Sequence, residues 1–139
     1  MRLILDTNVV ISGLLWRGAS ARLIDLTIEQ AVTICVNPFL AEELAEKLNM
    51  PKFASRIAAG GSTPEKLCEQ YLTLCQRVPA STITPICRDA DDDNVLAAAL
   101  SARADLIVSG DGDLQILRVF EGVPIVNAVD ALRMLGQRS

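Results

Sequence analysis

Carboxylates stand at three places in this chain where a folded α/β protein can gather them. Leu3-Ile4-Leu5 runs into Asp6, followed by Thr7 and Asn8. Leu106-Ile107-Val108 runs into Ser109, Gly110, Asp111, Gly112 and Asp113. Between them, Asp89, Asp91, Asp92 and Asp93 open an alanine-rich stretch. Ligands of an open parallel sheet bind just beyond the carboxyl ends of its strands. Carboxylates collected there repel one another unless a cation lies among them. A set of acids without His or Cys partners offers only oxygen ligands, which suits Mg²⁺ or Mn²⁺. One such ion, or two about 3.5–4 Å apart, can activate a water and stabilise the leaving oxygen of a phosphodiester. The expected chemistry is metal-dependent, directed at phosphate, and needs no side-chain nucleophile.

Each acid also has a plainer role to set beside this one. Asp6 is a possible helix cap, but Thr7 or Asn8 can fill that place, which leaves Asp6 for the site; Thr7 or Asn8 can also hold Asp6 or a metal-bound water. Acids in a first helical turn complement the helix dipole, at about 0.3–1 kcal/mol each. One or two would serve, and four acids within 89–93 exceed the need. Asp92 is the favoured ligand there, with Asp89 and Asp93 as alternatives. Asp111 is the better ligand and Asp113 the better cap of the helix that follows. Ser109 can bond to a carboxylate or a phosphate. Glu42 and Glu46 share a solvated face near Lys47, whereas Glu43 borders an apolar stripe of Leu40, Leu44 and Leu48. Spacing leaves the role of Glu43 open.

The elements that must position these groups follow from hydrophobic period and turn chemistry. Strands are expected over Arg2–Asp6, Val32–Val36, Asp105–Ser109 and Val123–Val126. Helices are expected over Val9–Trp16, Ala19–Glu29, Phe39–Asn49, Pro51–Ala59, Asp92–Ala104 and Asn127–Leu135. Ser62-Thr63-Pro64-Glu65 resembles a capping box and opens another helix, to about Gln76. Val78–Ile86, with two prolines, is irregular and has room for a brief strand; Gly110–Leu117 is a turn and short helix. Alternating strands and helices imply right-handed crossovers and a parallel sheet covered on both faces. The fold class is α/β, as one domain over 1–139.

Composition narrows the function. Half the chain is hydrophobic but only 4% is aromatic, so the core must be aliphatic. The absence of His removes a His general base, a Ser-His-Asp triad and the usual zinc sites. Cys35, Cys68, Cys75 and Cys87 form no C-x-x-C pair and read as small buried hydrophobes. No signal peptide is evident and no apolar run is long enough to span a bilayer, so a cytoplasmic protein is expected. A net charge of −4 speaks against nucleic acid binding, an objection that weakens if divalent metal neutralises several acids.

The ordered set of motifs resembles a known family. Leu-Ile-Leu-Asp-Thr-Asn at 3–8, Glu43 in an apolar helix, Asp92 ahead of Leu96-Ala97-Ala98-Ala99, and Ile-Val-Ser-Gly-Asp at 107–111 look like a PIN domain. Val-Ile-Ser-Gly-Leu-Leu-Trp at 10–16, Met-Pro-Lys-Phe at 50–53 and Arg-Asp-Ala-Asp-Asp-Asp at 88–93 are similar to its branch of toxin–antitoxin toxins. The resemblance implies a five-stranded parallel sheet in the order 3-2-1-4-5 between helices. It also implies a Mg²⁺- or Mn²⁺-dependent ribonuclease, with a small antitoxin as partner. The family's acids fall on Asp6, Glu43, Asp92 and Asp111, with Asp113 auxiliary; Asp6, Asp92 and Asp111 are the metal ligands. Its polar residue after the first acid is Thr7 or Asn8, and its Ser or Thr before the last acid is Ser109. Arg17, Arg22, Lys52 and Arg56 are the candidate RNA contacts. Trp16 and Phe53 are either homodimer contacts or core.

Rival readings are a Mg²⁺-binding receiver-like signalling module and a PIN-fold binding domain without activity. A receiver needs a late Lys, and the last one here is Lys66. A haloacid-dehalogenase-type phosphatase needs Asp at position 8, which is Asn.

Overall fold

The computed structural model describes residues 1–136; positions 137–139 of the expected domain lie outside the described residues. The strands are β1 (Arg2–Leu5), β2 (Thr33–Val36), β3 (Gln76–Arg77), β4 (Leu106–Val108), β5 (Val119–Phe120) and β6 (Val123–Val126). The helices are α1 (Thr7–Leu15), α2 (Ala19–Ile28), α3 (Pro38–Leu48), α4 (Ala54–Ala59), α5 (Pro64–Leu74), α6 (Ala90–Ala102), α7 (Gly112–Leu117) and α8 (Ala128–Met134), with a 3-10 turn at Pro51–Phe53. They form one sheet in the order β3-β2-β1-β4-β6-β5. All pairings are parallel except the β5–β6 hairpin. The expected order 3-2-1-4-5 is present, with β6 as its fifth member. The sixth strand is a two-residue addition at the edge.

β1 is central, buried on both faces, and its alternation splits the core. Leu3 and Leu5 join the cluster beneath α1, α2, α5 and α8, while Ile4 joins the cluster beneath α6 and α7. Helix α3 contributes to both, through Leu44 and Leu48 on one side and Leu40 on the other. Helix α6 buries Ala97, Ala98, Ala99 and Ala102, a small-residue face that lets it lie close on the sheet. It ends at Arg103, which closes the helix in the left-handed conformation with φ 50°. No helix among the described residues is long and apolar enough to cross a membrane.

Three boundaries differ from expectation. Helix α1 starts at Thr7, with Asp6 as the N-cap residue, and Asp6 makes no side-chain cap bond. Neither Thr7 nor Asn8 is the cap, yet the Asp6 carboxylate is still left for other work. Helix α5 stops at Leu74, and β3 forms at Gln76–Arg77 rather than within Val78–Ile86. Both residues of β3 are exposed, so no hydrophobic alternation marks them. Helix α6 begins at Ala90, earlier than Asp92, so Asp91, Asp92 and Asp93 all lie in its first turn.

The sheet's ladder runs one residue past the strands at its carboxyl edge. Asp6 N–H donates to Val108 O at 2.9 Å, and Ser109 N–H donates to Val126 O at 2.9 Å. The register of β1 with β2 sets Asn37 level with Asp6. Asn37, Asp6, Ser109 and Asn127 thus form a polar row, each the first residue beyond a strand.

Helices α1 and α2 cross at Gly13. A Cβ there would stand 2.7 Å from Ile24 Cδ1 and 2.9 Å from the Ser20 carbonyl oxygen. The isoleucine tip can move, but the carbonyl belongs to the α2 backbone. Gly13→Ala is expected to gain about 1 kcal/mol of helix propensity and to lose more through overpacking, which typically costs about 1–3 kcal/mol. A urea midpoint equal to or above that of the native protein would contradict this close approach.

Candidate metal centre

The pocket is built at the carboxyl edge, where β1, β4, α3, α6 and α7 meet. Asp6 is 6% exposed, and its Oδ2 accepts from the Ser109 hydroxyl at 2.8 Å. The same hydroxyl oxygen accepts from Asp111 N–H at 3.0 Å. One buried serine therefore ties the ends of β1 and β4 together, joining the Asp6 carboxylate to the turn that carries Asp111. Burial raises the pKa of Asp6; the Ser109 bond, the Thr7 backbone N–H and the charge of Lys47 pull it back, and Asp111 adds to the rise.

Asp92, in the first turn of α6, is 7% exposed. Its pKa is raised to about 6, first by burial and then by the charges of Asp111, Asp6, Asp89 and Asp113. Single carboxylate oxygens of Asp92, Asp111 and Asp113 all lie within 4.8 Å of one another. Asp111 is also the N-cap of α7: its Oδ1 accepts from the N–H groups of Asp113 and Leu114 at 2.8 and 3.2 Å. The expected division between Asp111 and Asp113 is therefore reversed in its capping half. Asp111 caps with one oxygen, and Asp113 caps nothing. Asp113 is instead paired with Arg88, whose Nη2 lies 2.9 and 3.1 Å from its two oxygens.

The other side of the pocket is formed by α3. The Thr7 hydroxyl donates to Glu43 Oε1. Lys47 Nζ lies 3.3 Å from Glu43 Oε2. Asp91 is opposite: burial, the charge of Glu43 and a hydrogen bond to Glu43 raise its pKa, while Lys47 lowers it. Asn37 caps α3 through Oδ1, which accepts from Leu40 N–H at 2.9 Å. Its Nδ2 is buried and has no hydrogen-bond partner among the described residues.

Two of the candidate acids have local work. Asp89 is the N-cap of α6, accepting from Asp91 N–H at 2.9 Å. Asp93 points into the preceding loop, where its carboxylate accepts from Cys87 N–H at 2.9 Å and Ile86 N–H at 3.2 Å. Neither belongs with the three close oxygens of Asp92, Asp111 and Asp113. Asn8 is exposed on α1 and lines a shallow hollow with Ser12, Ser20 and Gly110.

The basic candidates do not gather at the pocket. Arg22 pairs with Glu29 at 2.7 Å. Arg56 lies 5.3 Å over the Trp16 ring and donates to Leu15 O, and Lys52 lies 5.1 Å over Phe53. Trp16 and Phe53 meet edge to face at 6.3 Å, with Trp16 45% exposed, and Arg17 is the exposed residue beside it. The cations beside the acids are Lys47 and Arg88, neither of them among the candidate RNA contacts. Lys47 is one helical turn from Glu43 and shares its face, so the i, i+4 spacing held the signal. Arg88 makes its contact across a loop, where spacing carries no such signal.

Residues 2–113 match the family described as PIN domain. The chain belongs to the PIN-domain family. Its fold is similar to that in a crystal structure of VapBC2 from Rickettsia felis bound to a DNA fragment from their promoter, with a TM-score of 0.62. The two are 12% identical, over 91% of this chain and 98% of that one. At this identity the likeness concerns the fold. No curated protein matches the chain.

The donor set of this PIN domain fits a hard divalent ion. Asp92, Asp111 and Asp113 offer oxygen only, and Asp111 keeps Oδ2 after capping. The nearest thiol, Cys87, is pushed up to about 11 by burial and by Asp93, so it stays protonated and is a poor ligand. The Arg88–Asp113 pair is exposed on the arginine side, and such solvent-screened pairs contribute little to stability. An ion can displace it at small cost.

Removing the Ser109 hydroxyl leaves the buried Asp6 oxygen and Asp111 N–H without that partner. Ser109→Ala is expected to cost about 1–3 kcal/mol in the metal-free protein at pH 7 and to raise the pKa of Asp6 further. A carboxyl whose folded pKa lies above its unfolded one favours folding at low pH and loses that contribution as pH rises through the folded value. The cost of Ser109→Ala should therefore be smaller at pH 4 than at pH 7. Equal losses at both, by urea denaturation, would remove the hydroxyl's part in holding a charged Asp6.

Proposed function

We propose that this PIN domain is a Mg²⁺- or Mn²⁺-dependent ribonuclease and the toxin of a toxin–antitoxin pair. The observation that carries the reading is the approach of the Asp92, Asp111 and Asp113 oxygens within 4.8 Å beside buried Asp6. Asp6, Asp92 and Asp111 are the proposed metal ligands, with Asp113 auxiliary once released from Arg88. A bound ion supplies an activated water and charge neutralisation at the phosphate. Ser109 orients Asp6 and, through Asp111 N–H, the turn that carries Asp111. Thr7 holds Glu43 by Oε1 and leaves Oε2 toward Lys47, so the carboxylate is fixed at the pocket's edge. With no histidine in the chain, proton transfer falls to carboxylates, and Glu43 Oε2 is the proposed acceptor.

RNA is the proposed substrate because the PIN resemblance names it. Trp16 and Phe53, with Lys52 and Arg56 over their rings, have the aromatic and basic character suited to single strands. Arg17 is exposed beside them and completes this proposed path. Arg22, bound to Glu29, is a weaker contact. The antitoxin and a cytoplasmic setting belong to the same proposal, supported by the likeness to VapBC2 on promoter DNA. PIN-family membership leaves the receiver-like reading without support.

Asp6→Asn and Asp92→Asn are each expected to abolish Mn²⁺-dependent cleavage of mixed RNAs with the circular dichroism spectrum unchanged. Cleavage retained by either purified variant would sink the nuclease reading. Mn²⁺ should also raise the melting temperature by mass action. Protons compete with the ion at Asp92, whose pKa is about 6, so the rise should be larger at pH 7 than at pH 5. No rise at millimolar Mn²⁺ at pH 7 would contradict a specific site.

A further inference from the structure

Residues 78–88 form neither helix nor strand, yet the segment is tied down along its length. At its start, Val78 N–H donates to Val36 O at 2.9 Å. In its middle, the Ser81 hydroxyl meets that of Ser101 on α6 at 2.7 Å. At its end, Asp93 accepts from the N–H groups of Ile86 and Cys87, the two residues before Arg88. The residue after it, Asp89, is the N-cap of α6. The Arg88 backbone is therefore anchored on both sides, while its side chain is 88% exposed.

That side chain ends beside the close oxygens. Nη2 lies 2.9 and 3.1 Å from the two oxygens of Asp113, which is one of the three acids that approach one another. Nε and Nη1 bond to nothing among the described residues. A guanidinium carries its N–H donors in a planar fork that matches the oxygens of a phosphate. Here one nitrogen of that fork is used and the others are left over. The remaining basic residues are placed differently: Lys47 is paired with Glu43, and Lys52 and Arg56 lie over the rings of Phe53 and Trp16. With Asp113 turned to an ion, Arg88 would stand beside a divalent charge without a counter-ion. An anion arriving there relieves the repulsion, and a phosphodiester oxygen is such an anion.

We propose that Arg88 is a substrate contact: its guanidinium exchanges Asp113 for a non-bridging oxygen of an RNA phosphate at the acidic pocket. This rests on the ribonuclease reading above. Asp113 then holds the guanidinium in place while the pocket is empty and gives it up when the substrate comes. The anchored segment keeps Arg88 at the pocket in both states, so only its side chain has to turn.

The test uses the purified full chain and a fluorescein-labelled single-stranded RNA of random sequence. In Mn²⁺, Arg88→Gln is expected to lower kcat/KM for cleavage by about 10- to 100-fold, as the loss of a charge-assisted hydrogen bond would, with KM raised. Arg88→Lys should recover only part of this, having the charge without the fork. In EDTA, where no ion contributes, binding is read by fluorescence anisotropy across KCl concentrations. Asp113→Asn frees the guanidinium, so it should tighten binding and steepen the salt dependence by about 0.7 in the log–log slope, the value of one single-strand phosphate contact. Adding Arg88→Gln should erase that gain. A gain that persists in the double variant comes only from removing a negative charge and overturns the proposal. Native kcat/KM in Arg88→Gln, or a change confined to the Mn²⁺ activation midpoint with KM unmoved, also overturns it and leaves the nuclease reading standing. A native chain that cleaves no RNA in Mn²⁺ removes the nuclease reading, and the proposal with it.

Discussion

Like-charge repulsion is the constraint on which this molecule turns. Asp92, Asp111 and Asp113 are drawn toward one point, and Asp6 stands near enough to feel the charge of Asp111. Burial sharpens the conflict, and its measure is Asp92, a carboxyl pushed up to about 6. The scaffold sustains this because the strands behind the acids are anchored by fully buried aliphatic residues such as Leu3, Ile4, Leu106 and Ile107. The cost of crowded charge is met locally as well. Ser109 donates to Asp6, backbone N–H groups donate to Asp111, Arg88 neutralises Asp113, and Thr7 and Lys47 share Glu43. The two cations do so differently. Arg88 reaches in from solvent across a loop and is easily displaced, whereas Lys47 rises from the same helix as its partner and is half covered.

Much of this arrangement was legible in the amino-acid order, for reasons that can be named. β1, β2 and β4 are short apolar runs ended by a polar residue, and a parallel sheet buried on both faces produces that pattern. The alanine face of α6 and the prolines opening α3 and α5 marked those helices equally clearly. What escaped was small or non-local. β3 and β5 have two residues each, too few for any period, and exist because a neighbouring strand offers hydrogen bonds. Asp93 looked like Asp92, since both stand in the first turn of α6; only the path of the loop from Val78 to Arg88 turns Asp93 toward Ile86 and Cys87.

The acids were easier to recognise than their attendants. A carboxylate after a buried strand is conspicuous because so few other roles account for it. Lys47 and Arg88 are ordinary charged residues until the fold shows what they touch. Asn37 is the same kind of case: an ordinary polar residue after an apolar run in sequence, and in space the cap of α3 with a buried donor level with Asp6. Of the basic candidates, Arg17, Lys52 and Arg56 lie beside Trp16 and Phe53 instead, on the loop and helix that follow α3 and just past the end of α1, while Arg22 pairs with Glu29 on α2. Two charged regions of opposite sign thus occur in one chain, which reconciles its acidic balance with a basic, aromatic patch.

The two flanks of the sheet have a consequence for how the molecule behaves in company. One flank ends in Gln76–Arg77 and the other in Val119–Phe120, which pairs back on Pro124 and Val123. Exposed strand borders are templates on which further chains polymerise, and long flat ones are the dangerous kind. Here each border is two residues long, polar on one side and folded back as a hairpin on the other. Each border therefore offers few free backbone groups on which a second chain could extend the sheet.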